Sequence, residues 1–237
     1  LEPLSLGVTY PTRESVTVRD AANGLQYRFM MPGPPWTPAD ADAARDAILA
    51  AVTDGALVVP SGSFPPGLPE TFFLDLNPAV EAVGAHMLLD TSGAALSLAA
   101  EAGAGLHVLR MDLEEAQEMS GRALARIEDV ADLAEQLRQA GAAQMVLIAA
   151  GAQGNVIASA HWRGLTRPPV VVPLSKVGAG DSFMAAFALA LARQEDPVTA
   201  CAWGTAAAAS AVTTPDSDLC RAADVERYFA AVTRQPL

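Results

Sequence analysis

The chain has 237 residues, 51% of them hydrophobic, and a formal net charge of −12; this composition predicts one soluble globular unit and excludes a disordered chain. The acidic balance disfavours binding to nucleic acid or to an acidic membrane face, and no apolar run reaches the roughly 20 residues of a membrane-spanning helix. Two cysteines are too few for a disulfide framework and the N-terminus does not resemble a signal peptide, so we expect a cytoplasmic protein.

The N-terminal part is predicted to form β structure. Residues 15 to 33 hold two segments rich in β-branched and aromatic residues, separated by Asn23-Gly24, a dipeptide typical of tight turns. The sequence begins without methionine and enters this pattern almost at once. We therefore expect it to be part of a longer chain.

From residue 37 onward, helical and strand-like segments alternate. Helices are predicted at residues 37 to 52, 68 to 84, 93 to 103 and 124 to 141. Apolar segments between them are predicted strands, at residues 56 to 62, 86 to 93, 106 to 112 and 144 to 151. This alternation predicts a parallel sheet covered by helices on both faces. A proline-containing connection is expected at 161 to 173, followed by helices at 180 to 193, 197 to 213 and 222 to 232.

Polar and glycine-rich residues follow the predicted strands. They are Ser61-Gly62-Ser63, Asp90-Thr91-Ser92-Gly93, Arg110-Met111-Asp112 and Gly151. The carboxyl ends of parallel strands share one edge of a sheet, where α/β proteins bind ligands. We therefore expect a ligand crevice at this edge. The alternative, that each loop only turns the chain, is equally open.

The stretch Gly178-Ala179-Gly180-Asp181 begins a long, nearly uncharged helix. A helix N-terminus has unpaired N–H groups and a partial positive charge, and glycines let an anion approach the backbone closely. Such groups can stabilise a phosphoryl group in transfer, while the carboxylate of Asp181 accepts a proton from an attacking hydroxyl. The alternative is that Asp181 only stabilises the helix start electrostatically.

Several ordered motifs together resemble one protein family. They are VGAGDSF at 177 to 183, SGSFPPG at 61 to 67, DTSG at 90 to 93 and TRESVTV at 12 to 18. Through them, nearly the whole chain resembles the ribokinase-like (PfkB-type) carbohydrate kinases, in their phosphofructokinase branch. Together with GLQYRFMMPG at 24 to 33, the spacing is most similar to the minor type of bacterial 6-phosphofructokinase.

The resemblance implies an α/β fold: a three-layer α/β/α sandwich with a mostly parallel central sheet and a small β lid. Residues 1 to 34 would be the end of the lid and the return into the core, and residues 35 to 237 would be the core. The family's first core strand and part of the lid would precede this sequence. It also implies a homodimer through the lid, whose apolar strand edges need a partner.

The activity implied by the resemblance is ATP-dependent phosphorylation of a sugar phosphate. Fructose 6-phosphate is the expected substrate, and 1-phosphofructokinase and tagatose-6-phosphate kinase are the close alternatives. Asp181 would be the catalytic base, beside an anion hole formed by Gly178, Ala179 and Gly180. A catalytically silent nucleotide-binding or sugar-phosphate-binding paralogue is a second hypothesis, from a different functional class.

The resemblance also implies the ligand contacts. Arg13 and Ser63 would hold the sugar phosphate. The residues implied at ATP are Arg110, Asp112, Gly151 and Gly154. Glu115 would act on Mg²⁺ through water, and a monovalent cation behind the anion hole is left open. Plainer roles stay open for these side chains: Arg13 as an exposed strand cation, Ser63 as a turn former and Glu115 as a partner of the helix dipole.

Two motifs depart from the family pattern. Arg110-Met111-Asp112 stands where the family usually has Lys-Pro-Asn, and Ala149-Ala150-Gly151 stands where it has Ser-Leu-Gly. The added negative charge is expected to alter the affinity for Mg²⁺ and nucleotide. The missing hydroxyl is expected to weaken ATP binding, by about 1.5 to 3 kcal/mol for one hydrogen bond to a charged group. Asp90 is expected to order the loop after its strand. The three histidines (His86, His107 and His161) are scattered in the sequence and are expected to be structural or solvated.

Overall fold

The computed structural model describes residues 5–7, 10–20, 22–23, 26–101, 103–215 and 217–237. Within these ranges the strands are β1 (Ser15–Arg19), β2 (Gln26–Met30), β3 (Leu57–Val58), β4 (His86–Asp90), β5 (Leu106–Asp112), β6 (Ala143–Ala149), β7 (Asn155–Ala158), β8 (Arg163–Arg167) and β9 (Thr233–Pro236). The helices are α1 (Pro38–Ala51), α2 (Phe72–Ala82), α3 (Gly93–Ala100), α4 (Leu113–Ser120), α5 (Ile127–Gln139), α6 (Ala179–Ala192), α7 (Pro197–Ala211) and α8 (Ala222–Phe229).

Seven of these strands form one sheet in the order β3-β4-β5-β6-β7-β8-β9. Strands β3 to β6 pair in parallel, whereas β6 to β9 pair antiparallel. The connection expected over residues 161 to 173 is corrected in part, because β8 lies inside it and pairs with β7 and β9. Strand β8 has arginine at both ends and one large apolar residue, Leu165, so its pairing partners rather than its own composition make it a strand.

Helices cover both faces of the sheet, and alternate strand residues belong to different layers. On one face Leu89 packs in a cluster with buried residues of α2, α3 and α5. On the other face Leu88 and Val108 pack in a cluster with Phe183 and Phe187 of α6. These two clusters confirm the expected three-layer α/β/α fold.

Helix α7 holds α6 against the sheet through small residues. A Cβ atom added at Gly204 of α7 would lie 2.8 Å from the ring of Phe183. The glycine therefore lets the two helices approach closely, within an alanine-rich sequence. Because α6 begins with residues 179 to 181, this contact also fixes the place of the glycine-rich stretch.

Strands β1 and β2 form a separate antiparallel ribbon, in which Val16 is opposite Phe29 and Val18 is opposite Tyr27. These four side chains are 47 to 55% exposed. The turn predicted at Asn23-Gly24 cannot be compared in full, because Gly24 and the next residue of the GLQYRFMMPG motif lie outside the described residues. Of the helices in the described ranges, none has both the length and the apolar character needed to cross a membrane.

Candidate active site

The carboxyl ends of β3, β4 and β5 meet as the sequence predicted. A parallel bridge joins Ser61, after β3, to Asp90, the last residue of β4. The N–H of Gly62 donates to the carbonyl oxygen of Asp90 at 3.0 Å, and the hydroxyl of Thr91 donates to the carbonyl oxygen of Gly62 at 3.1 Å. These bonds fix the SGS loop beside β4.

The first turn of α6 lies against this edge. Gly178 precedes the helix with φ +77°, in the left-handed region that favours glycine, and Asp181 lies in the first turn with its side chain exposed. The hydroxyl of Ser61 donates to Oδ1 of Asp181 at 3.3 Å. The structure thus brings the predicted base to the SGS loop. The contact is made by Ser61, to which the sequence analysis assigned no individual role; Ser63 was the residue implied at the sugar phosphate.

An ion pair lies behind the first turn of α6. Nη1 of Arg110 is 3.0 Å from Oδ1 of Asp90, and the two side chains are 14% and 11% exposed. A Cβ atom added at Gly180 would lie 3.2 Å from Nη1 and 3.3 Å from Nη2 of Arg110. The guanidinium therefore packs directly against the backbone of Gly180. Sequence reasoning missed this role of Asp90, because spacing along the chain does not give the register between β4 and β5.

Negative charge dominates the site. Burial raises the pKa of Asp90, and Arg110 opposes this while Asp181 and Asp112 reinforce it. Burial likewise raises the pKa of Glu115, with Asp112 and Asp90 adding repulsion. The mutually interacting groups are four carboxylates and one guanidinium: Asp90, Asp112, Glu115, Asp181 and Arg110. Such a surplus of carboxylates favours a bound cation.

Asp112 and Glu115 form the capping box of α4. The N–H of Glu115 donates to Oδ1 of Asp112 at 2.9 Å, and the N–H of Asp112 donates to Oε2 of Glu115 at 2.7 Å. Glu115 is therefore already engaged in capping the helix, and its place in the first turn is also compatible with the predicted interaction with the helix dipole. Among the residues that the structure describes, no three His, Cys, Asp or Glu side chains could together hold a metal ion. The donor set fits a cation that arrives with a nucleotide and keeps its waters, as Mg²⁺ does.

The two glycines predicted to border ATP differ in their surroundings. Gly151 is exposed and begins a short 3-10 turn after β6. Gly154 is buried, has φ +117°, and leaves no space for a Cβ atom because the carbonyl oxygen of Thr166 lies there. Gly154 is thus required for the close approach of β8, and Gly151 is the one that presents its backbone to solvent.

Arg13 and Ser63 are both exposed. Arg13 precedes β1 and packs beside Gly33, where an added Cβ atom would lie 3.7 Å from Cβ of Arg13. Within the described part of the chain, neither side chain makes a hydrogen bond or ion pair with the groups around Asp181. Their predicted contacts with a sugar phosphate stay predictions.

Two of the three histidines lie together, away from this site. The rings of His86 and His107 stack with centroids 4.5 Å apart. Nδ1 of His86 is 3.3 Å from Oε1 of Glu81, and Nδ1 of His107 is 3.1 Å from Oε1 of Gln144. His86 and His107 are therefore distant in the sequence but adjacent in the fold. The pair lies at the amino ends of β4 and β5, opposite the site.

A sequence profile of the pfkB family carbohydrate kinases matches residues 7–223. The chain belongs to the pfkB family. This confirms the resemblance predicted from the motifs around residues 61, 90 and 181.

Curated members of the pfkB family include proteins similar to this chain. It is 32% identical over 218 residues to an ATP-dependent 6-phosphofructokinase isozyme 2 of Mycobacterium tuberculosis, covering 92% of this chain and 63% of that protein. It is 30% identical to the protein of the same name from Escherichia coli, covering 94% and 72%. A 1-phosphofructokinase of Xanthomonas campestris is 33% identical, with 81% and 60% covered. The chain thus spans less than two thirds of the first relative's length.

Solved structures of a pfkB family enzyme share the fold. The phosphofructokinase-2 of Escherichia coli in complex with potassium has a TM-score of 0.84 and 30% identity, covering 93% of this chain and 71% of that one. The same enzyme in complex with substrates and products has a TM-score of 0.83 and 29% identity, covering 92% and 70%.

Proposed function

We propose that the full-length protein containing this chain is an ATP-dependent kinase that phosphorylates the C1 hydroxyl of fructose 6-phosphate. The observation on which this depends is the position of Asp181 in the first turn of α6, hydrogen-bonded to Ser61 from the carboxyl edge of the sheet. The names of the two 6-phosphofructokinase relatives support the choice of substrate.

The proposed reaction transfers the γ-phosphoryl group of ATP to the sugar. Asp181 accepts the hydroxyl proton, the hydroxyl oxygen forms a bond to phosphorus, and the bond from phosphorus to the ADP oxygen breaks so that ADP leaves with the electron pair. First-turn N–H groups of α6, at residues 180 and 181, have no preceding helical carbonyl to bind. They are placed to stabilise the charge on the transferring group.

The remaining ligand contacts are part of the same proposal. Asp112 and Glu115 would hold Mg²⁺ through water, and the ion would neutralise phosphate charge when bound with ATP. Gly151 presents exposed backbone to the nucleotide, with Gly154 shaping the turn. Arg13 offers a planar fork of donors to the sugar phosphate, and Ser63 contacts the sugar. The potassium complex of the related enzyme supports a monovalent cation behind the anion hole.

The assembly is proposed to be a cytoplasmic homodimer joined through the ribbon of β1 and β2. Its support is the apolar face formed by Val16, Val18, Tyr27 and Phe29, which is about half exposed in the single chain. Light scattering on the full-length protein should give a dimer. Replacing Val18 and Phe29 with lysine should give a monomer, and a dimer that persists would contradict the interface.

A second substrate is favoured by one finding, the 1-phosphofructokinase of Xanthomonas campestris at 33% identity. A coupled assay of ADP release by the full-length protein separates the candidates, with fructose 6-phosphate, fructose 1-phosphate and tagatose 6-phosphate supplied in turn. We expect the highest kcat/KM for fructose 6-phosphate. A preference for fructose 1-phosphate or tagatose 6-phosphate would replace the proposed substrate, and no ADP release with any of them would favour a silent paralogue.

A further inference from the structure

Asp90 and Arg110 are direct neighbours in the sheet. They are paired residues in the parallel register of β4 and β5, two positions after the pair Leu88 and Val108. Because strand side chains alternate with a period of two, all four side chains point to the same face of the sheet. Leu88 and Val108 pack under α6, so Asp90 and Arg110 continue the same rows to the start of α6.

The guanidinium of Arg110 lies where a cation is electrostatically unfavourable. It packs against Gly180, in the first turn of α6, and a helix N-terminus is itself positive. Nε of Arg110 is buried and has no hydrogen-bond partner among the described residues. An attraction must therefore hold the guanidinium in place, and the carboxylate of Asp90 at 3.0 Å supplies it.

The guanidinium of Arg110 and the N-terminus of α6 are two positive groups that face the same space. Nη1 donates to Asp90, which leaves other guanidinium donors beside the N–H groups of the helix start. The repulsion between the guanidinium and the helix N-terminus turns into joint attraction when an anion binds between them. Arg110 can attract that anion only while its guanidinium stays beside the start of α6.

We propose that Asp90 is a positioning residue, whose carboxylate holds the Arg110 guanidinium against Gly180 so that guanidinium and helix N-terminus bind the same γ-phosphoryl group. The proposal rests on the proposed function for the identity of that group. It gives Asp90 a role in catalysis that acts through Arg110, without contact between Asp90 and either substrate.

The test is a double-mutant cycle in the full-length protein, with Asp90→Asn, Arg110→Met and both together. Asp90→Asn keeps the size of the side chain and removes its charge. We expect kcat to fall about tenfold in D90N and at least as much in R110M. The double variant should be no slower than R110M, because Asp90 has nothing left to position. Losses that multiply, or an unchanged kcat in D90N, overturn the proposal.

The control breaks a partly buried ion pair elsewhere. Glu135 and Arg138 of α5 are 2.7 Å apart with side chains 19% and 24% exposed, and they lie outside the site. Glu135→Gln should leave kcat unchanged. A tenfold loss in this variant as well would show that breaking any such ion pair slows the enzyme, and would overturn a specific role for Asp90.

A binding measurement keeps the proposal separate from the proposed function. Calorimetry with ADP and with a non-hydrolysable ATP analogue gives the preference of each variant for the γ-phosphate. D90N should reduce that preference about tenfold, and an unchanged preference overturns the inference. If the wild-type protein phosphorylates none of the sugars, the proposed function fails while this comparison still decides the role of Asp90.

Whether the variants fold is a further test of the pairing between Asp90 and Arg110. If D90N does not fold, its buried guanidinium is without a counter-ion, and the double variant should then fold because that charge is gone. A folded double variant beside an unfolded D90N therefore supports the pairing. If the double variant is also unfolded, Asp90 supports the fold independently of Arg110, and the proposal is wrong.

Discussion

Two polar clusters lie on the face of the sheet that α6 and α7 cover, and they differ in charge. The first is the site cluster, at the carboxyl edge: Asp90, Arg110, Asp112, Glu115 and Asp181. The second is the neutral cluster, between β7, β8 and α7: Asn155, Thr166, Cys201 and Thr205. Of the two clusters, only the neutral cluster has every side chain buried.

In the neutral cluster the buried groups satisfy one another. Nδ2 of Asn155 donates to the hydroxyl of Thr205 at 3.0 Å, and the hydroxyls of Thr166 and Thr205 are 2.6 Å apart. The hydroxyl of Thr166 is 3.2 Å from Sγ of Cys201. Burial raises the pKa of Cys201 to about 12, so the thiol stays neutral. This cluster joins α7 to the sheet and leaves nothing for a ligand.

The site cluster is the opposite case. Four carboxylates face one guanidinium, burial raises the pKa of two of them, and Nε of Arg110 has no partner among the described residues. Such groups destabilise the fold unless a ligand completes them. Polar residues alone therefore do not identify a site, whereas unbalanced charge beside an open helix N-terminus does.

The largest effect on catalysis is expected at Asp181. Asp181→Asn keeps the size of the side chain and the hydrogen bond from Ser61 but cannot accept the proton. We expect kcat to fall by about 10² to 10⁴ with little change in ATP binding. The coupled assay and calorimetry measure the two effects. Turnover near the wild-type rate would remove Asp181 from the mechanism.

Gly180 gives the next largest effect. In Gly180→Ala the new methyl group would lie 3.2 Å from Nη1 of Arg110 and would push the guanidinium away by a few tenths of an ångström. We expect kcat to fall about tenfold, while stability holds because alanine favours helix. Ala185→Ser, on the exposed side of the same helix, is the control and should keep its kcat. Equal rates in the two variants would show that the contact with Arg110 does not matter.

The sequence predicted much of this fold and part of the site. The alternation of helical and apolar segments was sufficient to predict strands β3 to β6, since each is apolar and followed by turn residues. It was insufficient for β8 and β9, because these short strands contain arginine and depend on their neighbours for pairing. The glycines before Asp181 correctly indicated a helix start.

The parts of the site that the sequence did not predict depend on the register between strands. Ser61 and Ser63 both follow β3, and only three-dimensional pairing shows that Ser61 reaches Asp181. Asp90 and Arg110 are 20 residues apart in the chain and become neighbours through the β4–β5 register. A linear pattern has no signal for such a pair, beyond the presence of opposite charges at the ends of two successive strands.

A smaller effect is expected at Glu115. Glu115→Gln keeps an acceptor for the N–H of Asp112 and so keeps the capping box, but removes a carboxylate near the proposed cation. We expect the Mg²⁺ concentration for half-maximal rate to rise about tenfold. Glu114→Gln, an exposed neighbour in the same turn, should leave it unchanged. The same Mg²⁺ requirement in E115Q and E114Q would leave Glu115 with the capping role alone.

Glu115→Gln also has a consequence for pH-dependent stability. Burial raises the pKa of Glu115 above its ordinary 4.5, so the folded protein favours the protonated form. Stability from this group is full below pH 4.5 and is lost as pH rises through the raised pKa. The free energy of unfolding of the wild type minus that of E115Q should therefore fall between these two pH values. A constant difference across that interval would mean that Glu115 does not titrate differently on folding.

The smallest effect on catalysis is expected in the neutral cluster. Thr205→Val removes the hydroxyl that accepts from Nδ2 of Asn155 and leaves a buried donor unsatisfied, which should lower the free energy of unfolding by about 1 to 3 kcal/mol. Thr205→Ser retains the hydroxyl and should recover most of this loss. Denaturant unfolding measures both, and kcat of either variant should equal that of the wild type. If Thr205→Val slowed phosphoryl transfer tenfold while remaining folded, the neutral cluster would contribute to the chemistry, and the distinction between balanced and unbalanced polar groups would no longer separate structure from function here.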